Sequence, residues 1–144
     1  MIKTNELRIG NFVSINNGFE MLVHSIFQND TVYLDFIPPL VNEGDIWEED
    51  FKDINPIPLT EEWFLKFGFK KNKHENLILN LELDRKLEII ETKEGFYIEL
   101  VQLPELSCED IQFIVLRKIE YVHQLQNLYF VLKCEELVFS STEP

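Results

Sequence analysis

Three residues near the middle of the chain have the types and spacing of a metal-dependent nuclease site. Asp84 precedes Glu91-Thr92-Lys93, so two carboxylates could hold a divalent metal ion while the lysine steadies the attacking water. The pattern is short, and 27% of the residues are charged, so it arises easily by chance. The plainer interpretation is a solvent-facing hairpin, which leaves a nuclease as the remotest of the functions that we consider.

The sequence offers little else for catalysis or metal binding. His24, His74 and His123 are scattered, and none has a second histidine or cysteine at the spacing of zinc ligands. The sequence contains no nucleophile elbow, no phosphate-binding glycine loop and no dinucleotide fingerprint. We therefore predict no catalytic residue, no metal and no cofactor, and we assign His123 to the exposed surface of a helix.

Cysteine content and hydropathy indicate the compartment. Cys108 and Cys134 are too few and too far apart in sequence for a disulfide framework or a four-cysteine zinc site, so we expect two free thiols. The amino-terminal MIKTNELRIG lacks the apolar stretch of a secretory signal, and no run of residues has the length and apolarity of a membrane span. These features predict a cytoplasmic protein.

Charge is the strongest compositional signal. Asp and Glu number 26 against 13 Lys and Arg, which gives a net charge of -13 and opposes binding to a phosphate backbone. Tyr121, Tyr129 and Phe130 lack the flanking basic residues of a base-stacking platform, and we interpret them as packing aromatics. The same charge favours a basic protein partner, although it also fits a role in solubility alone.

The densest acidic segment, residues 41–53, surrounds a single tryptophan and is our candidate partner-binding surface. One interpretation is a solvated loop or a short edge strand with Trp47 tucked into the core, and the other is a contact surface for a basic partner. A calcium site is discounted, because the segment lacks the spacing and turn glycine of a calcium loop. The candidate residues are Glu43, Asp45, Trp47, Glu48, Glu49, Asp50 and Asp53.

Strands separated by turn signals must carry most of these residues. Residues 11–36 contain NFVSI, FEMLVHSIF and TVYLDF, joined by NNG and ND turns, which predicts a small, barrel-like meander. Residues 77–103 contain LILNLEL, KLEIIET and GFYIELVQL, which predict a second antiparallel sheet. Residues 111–118 fit a strand or a helix equally well, and residues 135–139 suggest a last short strand.

Two helices complete the predicted α+β fold. NPIPLTEEWFLKFGF predicts a short helix that Thr60 caps, that buries Trp63, Phe64 and Phe67 against the second sheet, and that Gly68 ends. Apolar residues recur at three- and four-residue steps in residues 119–133, which predicts an amphipathic carboxy-terminal helix. We expect two subdomains, residues 1–54 and 55–144, packed as one compact unit.

Three stretches carry a resemblance to a known family. LRIGNFV at residues 7–13, PIPLTEEWFLKFGF at residues 56–69 and YVHQLQNLYFVL at residues 121–132 resemble, in this order, small uncharacterised proteins of bacterial prophages and mobile elements. The resemblance covers most of the chain, and the family has a glycine where Cys134 stands here. It implies a genetic setting and supplies no catalytic residues.

Charge and this setting together suggest a function. We expect a non-enzymatic protein that binds and inhibits a nucleic-acid-handling host defence effector, in the manner of an anti-CRISPR inhibitor of an RNA-guided nuclease. Its partner would be a basic protein in the host bacterial cytoplasm, with neither nucleic acid nor membrane bound directly. The alternative is a structural or accessory phage protein whose acidity provides only solubility.

Overall fold

The computed structural model describes residues 2–37, 46–106, 108 and 110–140. Contacts divide the chain into two units. The first unit comprises Met1–Pro58 and Tyr121–Glu136, and the second comprises Leu59–Glu120 and Leu137–Pro144. Among the described residues, no helix has the length and apolarity needed to cross a membrane.

The first unit contains a five-stranded antiparallel sheet, curled into a half-barrel, in the order β4-β3-β2-β1-β5. Gly18 turns the chain between the first two strands with a φ of 87°, and Asp30 takes a φ of 61° in the next turn, so both predicted turns are confirmed. The strands are β1 (Phe12–Ile15), β2 (Glu20–Ile26), β3 (Thr31–Phe36), β4 (Ile46–Asp50) and β5 (Ile54–Asn55).

Alternate residues of these strands form the core of the first unit. Met21 and Val23 of β2 are fully buried, as are Val32 and Leu34 of β3, which is the alternation expected of a sheet with one covered face. The register shifts between Val23 and Ser25, so a bulge bends β2 and increases the local twist. The predicted barrel-like meander is therefore confirmed.

Helix α2 (Val122–Lys133) belongs to the first unit and buries polar as well as apolar side chains. Val122 and Leu125 are fully buried, as the predicted stripe requires. His123 and Gln126 are each only 1% exposed, so the prediction that His123 lies on the helix surface is wrong. The hydropathy pattern assigned these residues to the wet face because it does not register hydrogen-bond partners elsewhere in the chain.

Those partners lie in the amino-terminal loop and at Phe12, the first residue of β1. Gln126 Oε1 accepts the Phe12 backbone N–H at 2.8 Å, and Gln126 Nε2 donates to the Gly10 carbonyl at 2.9 Å. Asn127 Oδ1 accepts from Asn11 Nδ2 at 2.8 Å, and its Nδ2 donates to the Glu6 carbonyl. Two of the stretches that carry the resemblance therefore hold each other together through amide groups.

An arginine extends this network. Arg8 forms an ion pair with Glu136, and its guanidinium lies 4.2 Å from the centre of the Phe130 ring. Tyr129, which precedes Phe130 in the sequence, is half-buried. Burial raises the pKa of the Tyr129 phenol, and the charge of Glu135 raises it to a smaller extent. These contacts are consistent with packing rather than base stacking for the aromatic residues of α2.

The second unit contains the other five-stranded antiparallel sheet, in the order β10-β9-β8-β7-β6. Residues 111–118, which the sequence left undecided, lie mainly in an edge strand of this sheet, because they pair with β9 along most of its length. The strands are β6 (Lys70–Lys71), β7 (Leu77–Asn80), β8 (Arg85–Thr92), β9 (Gly95–Gln102) and β10 (Gln112–Ile119).

Helix α1 (Glu61–Lys66) packs on this sheet through aromatic rings, as predicted. Phe64 is fully buried, with its ring centre 5.1 Å from that of Phe96 in β9 and 5.2 Å from that of Phe69. Trp63 and Phe67 are also buried. The aromatic face of the helix therefore fixes it to the sheet.

The two ends of α1 differ from each other. The Thr60 side chain makes no capping hydrogen bond, contrary to expectation, and its backbone carbonyl accepts from Trp63 N–H instead. At the other end Gly68 has a φ of 91° and donates to the Leu65 carbonyl, while Phe69 donates to the Phe64 carbonyl. This is a Schellman motif, completed by the contact between the Phe64 and Phe69 rings.

Two further expectations differ from the structure. Residues 135–139 form no strand; instead Leu137 is buried and Phe139 packs on Trp63 and Phe67 within the second unit. The predicted subdomains of residues 1–54 and 55–144 also differ from the grouping by contacts, because α2 groups with the amino-terminal sheet. The compact packing of the two parts stays a prediction.

Candidate functional site

Ile46–Asp50 of the acidic segment forms β4, an edge strand of the first sheet, with β3 as its strand neighbour among the described residues. Glu48 and Asp50 are exposed, and Glu49 is half-buried. Asp53 follows in a short 3-10 turn at Phe51–Asp53. Glu43 and Asp45 lie outside the described residues.

The pairing of β4 with β3 sorts the side chains onto two faces. Trp47 lies opposite Leu34, and Glu49 lies opposite Val32, so these two share the face of the core. Glu48 lies opposite Tyr33, and Ile46 opposite Asp35, on the other face. Carboxylates therefore line both faces of the strand, and we call Asp35, Glu48, Glu49 and Asp50, together with Trp47, the acidic edge.

Trp47 is the apolar centre of the acidic edge. It is 42% exposed, so it is not tucked into the core as one interpretation of the sequence proposed. Its indole N–H donates to Glu49 Oε2 at 2.9 Å, and its ring meets Phe36 edge to face at 6.5 Å. These two contacts orient the indole while leaving much of its surface available to a partner.

Few cations balance the acidic edge within the described residues. Lys52 Nζ lies 3.8 Å from Asp50 Oδ2, and both side chains are largely exposed, so this pair stabilises little. Asp53 accepts a hydrogen bond from Asn16 Nδ2 at 3.0 Å, which anchors the turn after β4. The edge therefore keeps a negative potential that a basic partner could meet.

A cleft of about 390 Å³ lies at the end of β4. The Phe51 N–H donates to the Asp30 carbonyl at 2.8 Å, which holds two of its walls together. Two carboxylates, one ammonium group and one aromatic ring line it, a combination that suits the side chain of a lysine or an arginine. The lining residues are Asn29, Asp30, Asp50, Phe51 and Lys52.

The nuclease-like residues do not converge. Asp84 immediately precedes the eight-residue strand β8, whereas Glu91 lies near its far end and Lys93 in the turn beyond. A strand rises about 3.3 Å per residue, so the two carboxylates are roughly 20 Å apart and cannot share a metal ion. Among the residues that the structure describes, no group of three or more His, Cys, Asp or Glu side chains could hold a metal.

Asp84 instead lines a second cleft, of about 830 Å³, with Glu105, Cys108 and Asp110. Gln102 Nε2 donates to Asp84 Oδ2 at 2.8 Å, so this carboxylate is engaged in holding the turn before β8. The Cys108 and Cys134 thiols are both free and exposed. Among the described residues, neither a histidine nor a lysine lines this cleft to activate the thiol, and we assign no chemistry to it.

Sequence reasoning missed Asp35 as a member of the acidic edge. The alternation in TVYLDF could have placed Tyr33 and Asp35 on the outward face, because Val32 and Leu34 are inward. It could not have placed them beside Ile46 and Glu48, because nine residues, 37–45, separate β3 from β4 in the sequence, and a connection of that length does not fix the register as a two-residue hairpin turn does.

Comparison of the chain with protein-family models, with curated proteins and with solved structures gave no match.

Proposed function

We propose that this chain is a non-enzymatic inhibitor, encoded by a phage or mobile element, that binds a basic surface of a nucleic-acid-handling host defence enzyme. An RNA-guided nuclease is the target class that the chemistry favours, because such enzymes hold their RNA–DNA duplex in a positively charged channel. A protein of net charge -13 would be drawn to such a channel and would compete with the nucleic acid for it.

The acidic edge is the observation that carries this proposal. It combines carboxylates on both faces of an edge strand with a half-exposed, oriented indole. Tryptophan is enriched among the residues that contribute most to binding, and edge strands accept an added strand from a partner. Charge would speed the encounter, and Trp47 together with the strand edge would supply the close contact.

The first experiment is capture from a nuclease-treated bacterial lysate, with the intact chain as bait and elution by rising salt. We expect a basic enzyme that handles RNA or DNA to elute with salt, because screening weakens contacts between exposed charges. The cleavage activity of that enzyme should fall when the chain is added. Recovery of phage structural proteins alone, or of no protein, contradicts the proposal.

Two matched variants then locate the contact. Reversing Glu48, Glu49 and Asp50 to lysine should slow association about tenfold and flatten its salt dependence, as measured by surface plasmon resonance. Reversing three exposed acids elsewhere, Glu91, Glu105 and Glu135, changes the net charge by the same amount. If both variants slow association equally, net charge rather than the acidic edge governs binding.

A structural or accessory role is the second candidate, and one observation favours it. Strand β10 presents apolar side chains to solvent, with Phe113 59% and Val115 60% exposed, as a protein built for assembly would. Recovery of phage structural proteins in the capture experiment would favour this role. Unchanged kinetics on reversal of the acidic edge would also remove the main support for inhibition.

A further inference from the structure

Strand β10 is an apolar edge that the inhibitory function proposed above does not use. Phe113, Ile114 and Val115 are 59%, 53% and 60% exposed, and within the described part of the chain β9 is the one strand that pairs with β10. An edge strand carries backbone donors and acceptors along its outer side, and charged residues usually protect it from pairing. The charged residues of Gln112–Ile119 are Arg117 and Lys118, both near its end, so the part that contains Phe113, Ile114 and Val115 lacks this protection.

The exposed apolar residues lie on both faces of β10. Phe113 pairs with Val101 and Val115 with Glu99, whereas Ile114 pairs with Leu100 on the opposite face. A partner packed on one face of β10 would therefore leave the apolar side chains of the other face exposed to solvent. An added strand alongside β10 would cover apolar side chains on both faces and would also satisfy the outer backbone groups.

We propose that β10 pairs in antiparallel fashion with β10 of a second copy of this chain, with Ile114 at the two-fold axis. In this register Phe113 of each copy lies opposite Val115 of the other, and directly opposed residues share a face. The segment is thus complementary to itself, as a closed two-fold interface requires. The sheet of the second unit in one copy then continues into the same sheet of the other copy.

Charge at the two ends of β10 selects the antiparallel direction. Asp110 precedes the strand, and Arg117 and Lys118 lie near its end. Antiparallel pairing brings Asp110 of one copy to the basic end of the other at both edges of the interface. Parallel pairing would place the two basic ends side by side, which is unfavourable because like charges opposed in a sheet repel each other.

Sedimentation velocity of the full chain over a concentration series tests the proposal. We expect a reversible monomer–dimer equilibrium, and Ile114→Lys should raise its dissociation constant at least about tenfold because it opposes two like charges at the axis. The matched control is Leu83→Lys, at a fully exposed position between β7 and β8 of the same unit and not in β10. It should leave the equilibrium unchanged.

A charge exchange tests the register independently of folding. Asp110 lies opposite Lys118 in this register. Asp110→Lys and Lys118→Asp should each weaken the dimer, and the double variant should restore it, because the exchange recreates the opposite charges. A monomer at every concentration overturns the proposal and leaves the edge to an extended segment of another protein. A dimer that Ile114→Lys does not weaken overturns it as well, because the contact then lies elsewhere.

Discussion

Helix α1 of the second unit meets its sheet with aromatic rings, whereas helix α2 of the first unit meets the amino-terminal loop with amide side chains. Phe64 buries its ring against Phe96. Burial of apolar surface stabilises this contact without requiring one particular orientation of the two rings. Gln126 binds one N–H and one carbonyl of the loop, and those bonds fix a single position. Helix α1 is thus stabilised by the apolar surface that it buries, whereas hydrogen bonds fix the position of α2 against the chain segment that it contacts.

The edge strands differ in a related way. The edge strand β4 of the first unit carries carboxylates on both faces, which discourages pairing with another copy of itself. The edge strand β10 of the second unit carries exposed apolar side chains on both faces, which favours pairing with another strand. Carboxylates line one edge and are absent from the other strand, Gln112–Ile119, which suggests two different partners for the two units.

Removing the central ring of α1 is the largest change that the comparison predicts. Phe64→Ala should lower the free energy of unfolding by about 3–5 kcal/mol, because it opens a cavity at a fully buried site and removes the contacts with Phe69 and Phe96. Urea denaturation measures the loss. Leu65→Ala on the same helix, at a position 47% exposed, is the control and should cost less than about 1 kcal/mol. Equal losses would contradict the assignment of the ring face.

The matching test in α2 removes an amide group. Gln126→Leu keeps much of the side-chain volume but leaves the Phe12 N–H and the Gly10 carbonyl without their glutamine partner. We expect a loss of about 2–3 kcal/mol, because each buried polar group stripped of its partner costs about 1–3 kcal/mol. Gln124→Leu, whose side chain accepts from Tyr121 N–H at 3.3 Å, should cost less. A neutral or stabilising Gln126→Leu would show that the loop is held by apolar contacts instead.

The contrast between the two helices also explains what the sequence could predict. NPIPLTEEWFLKFGF contains its own start, apolar face and stop, so the position, packing face and glycine end of α1 follow from local chemistry. Short turns such as Asn16-Asn17-Gly18 likewise placed the strands of both sheets. Local signals sufficed wherever the partner of a residue was close in sequence.

Prediction failed where partners are distant in sequence. His123 and Gln126 read as surface residues because their partners, Glu6, Gly10 and Phe12, lie more than a hundred positions earlier. The sequence identifies the acidic edge as a charged segment, but its two faces depend on a pairing with β3 across a connection too long to fix the register. The spacing of Asp84 and Glu91 suggested a shared site, but most of the extended strand β8 separates them.

The glycine that ends α1 gives a smaller change in stability. Gly68→Ala should cost about 1 kcal/mol, because a φ of 91° is strained for alanine and the new Cβ would lie 3.3 Å from Ser140 Cβ. Gly18→Ala in the first unit is the control, with a φ of 87° and no atom within 4 Å of its Cβ. Thermal unfolding of both variants separates backbone strain from the contact. A loss confined to Gly68→Ala would assign the effect to Ser140.

A substitution at the end of α2 gives the smallest change in the free energy of unfolding, and this change is an increase. Cys134 takes the left-handed conformation, with a φ of 54° and a ψ of 25°, directly after the last helical residue. That conformation costs about 1–2 kcal/mol for a residue with a side chain. Glycine avoids this strain but loses more entropy on folding, by about 0.5–1 kcal/mol. Cys134→Gly should therefore stabilise the chain by about 0.5–1 kcal/mol in urea denaturation.

Cys134→Ala separates the backbone effect of this change from the loss of the thiol. Alanine keeps the strained φ and removes the exposed sulfur, so its free energy of unfolding should match that of the unaltered chain. If alanine stabilised the chain as much as glycine, the thiol rather than the left-handed backbone would be the source of the cost. The α2 end would then differ from the α1 end in side-chain chemistry alone, although both share the left-handed turn that glycine supplies at Gly68.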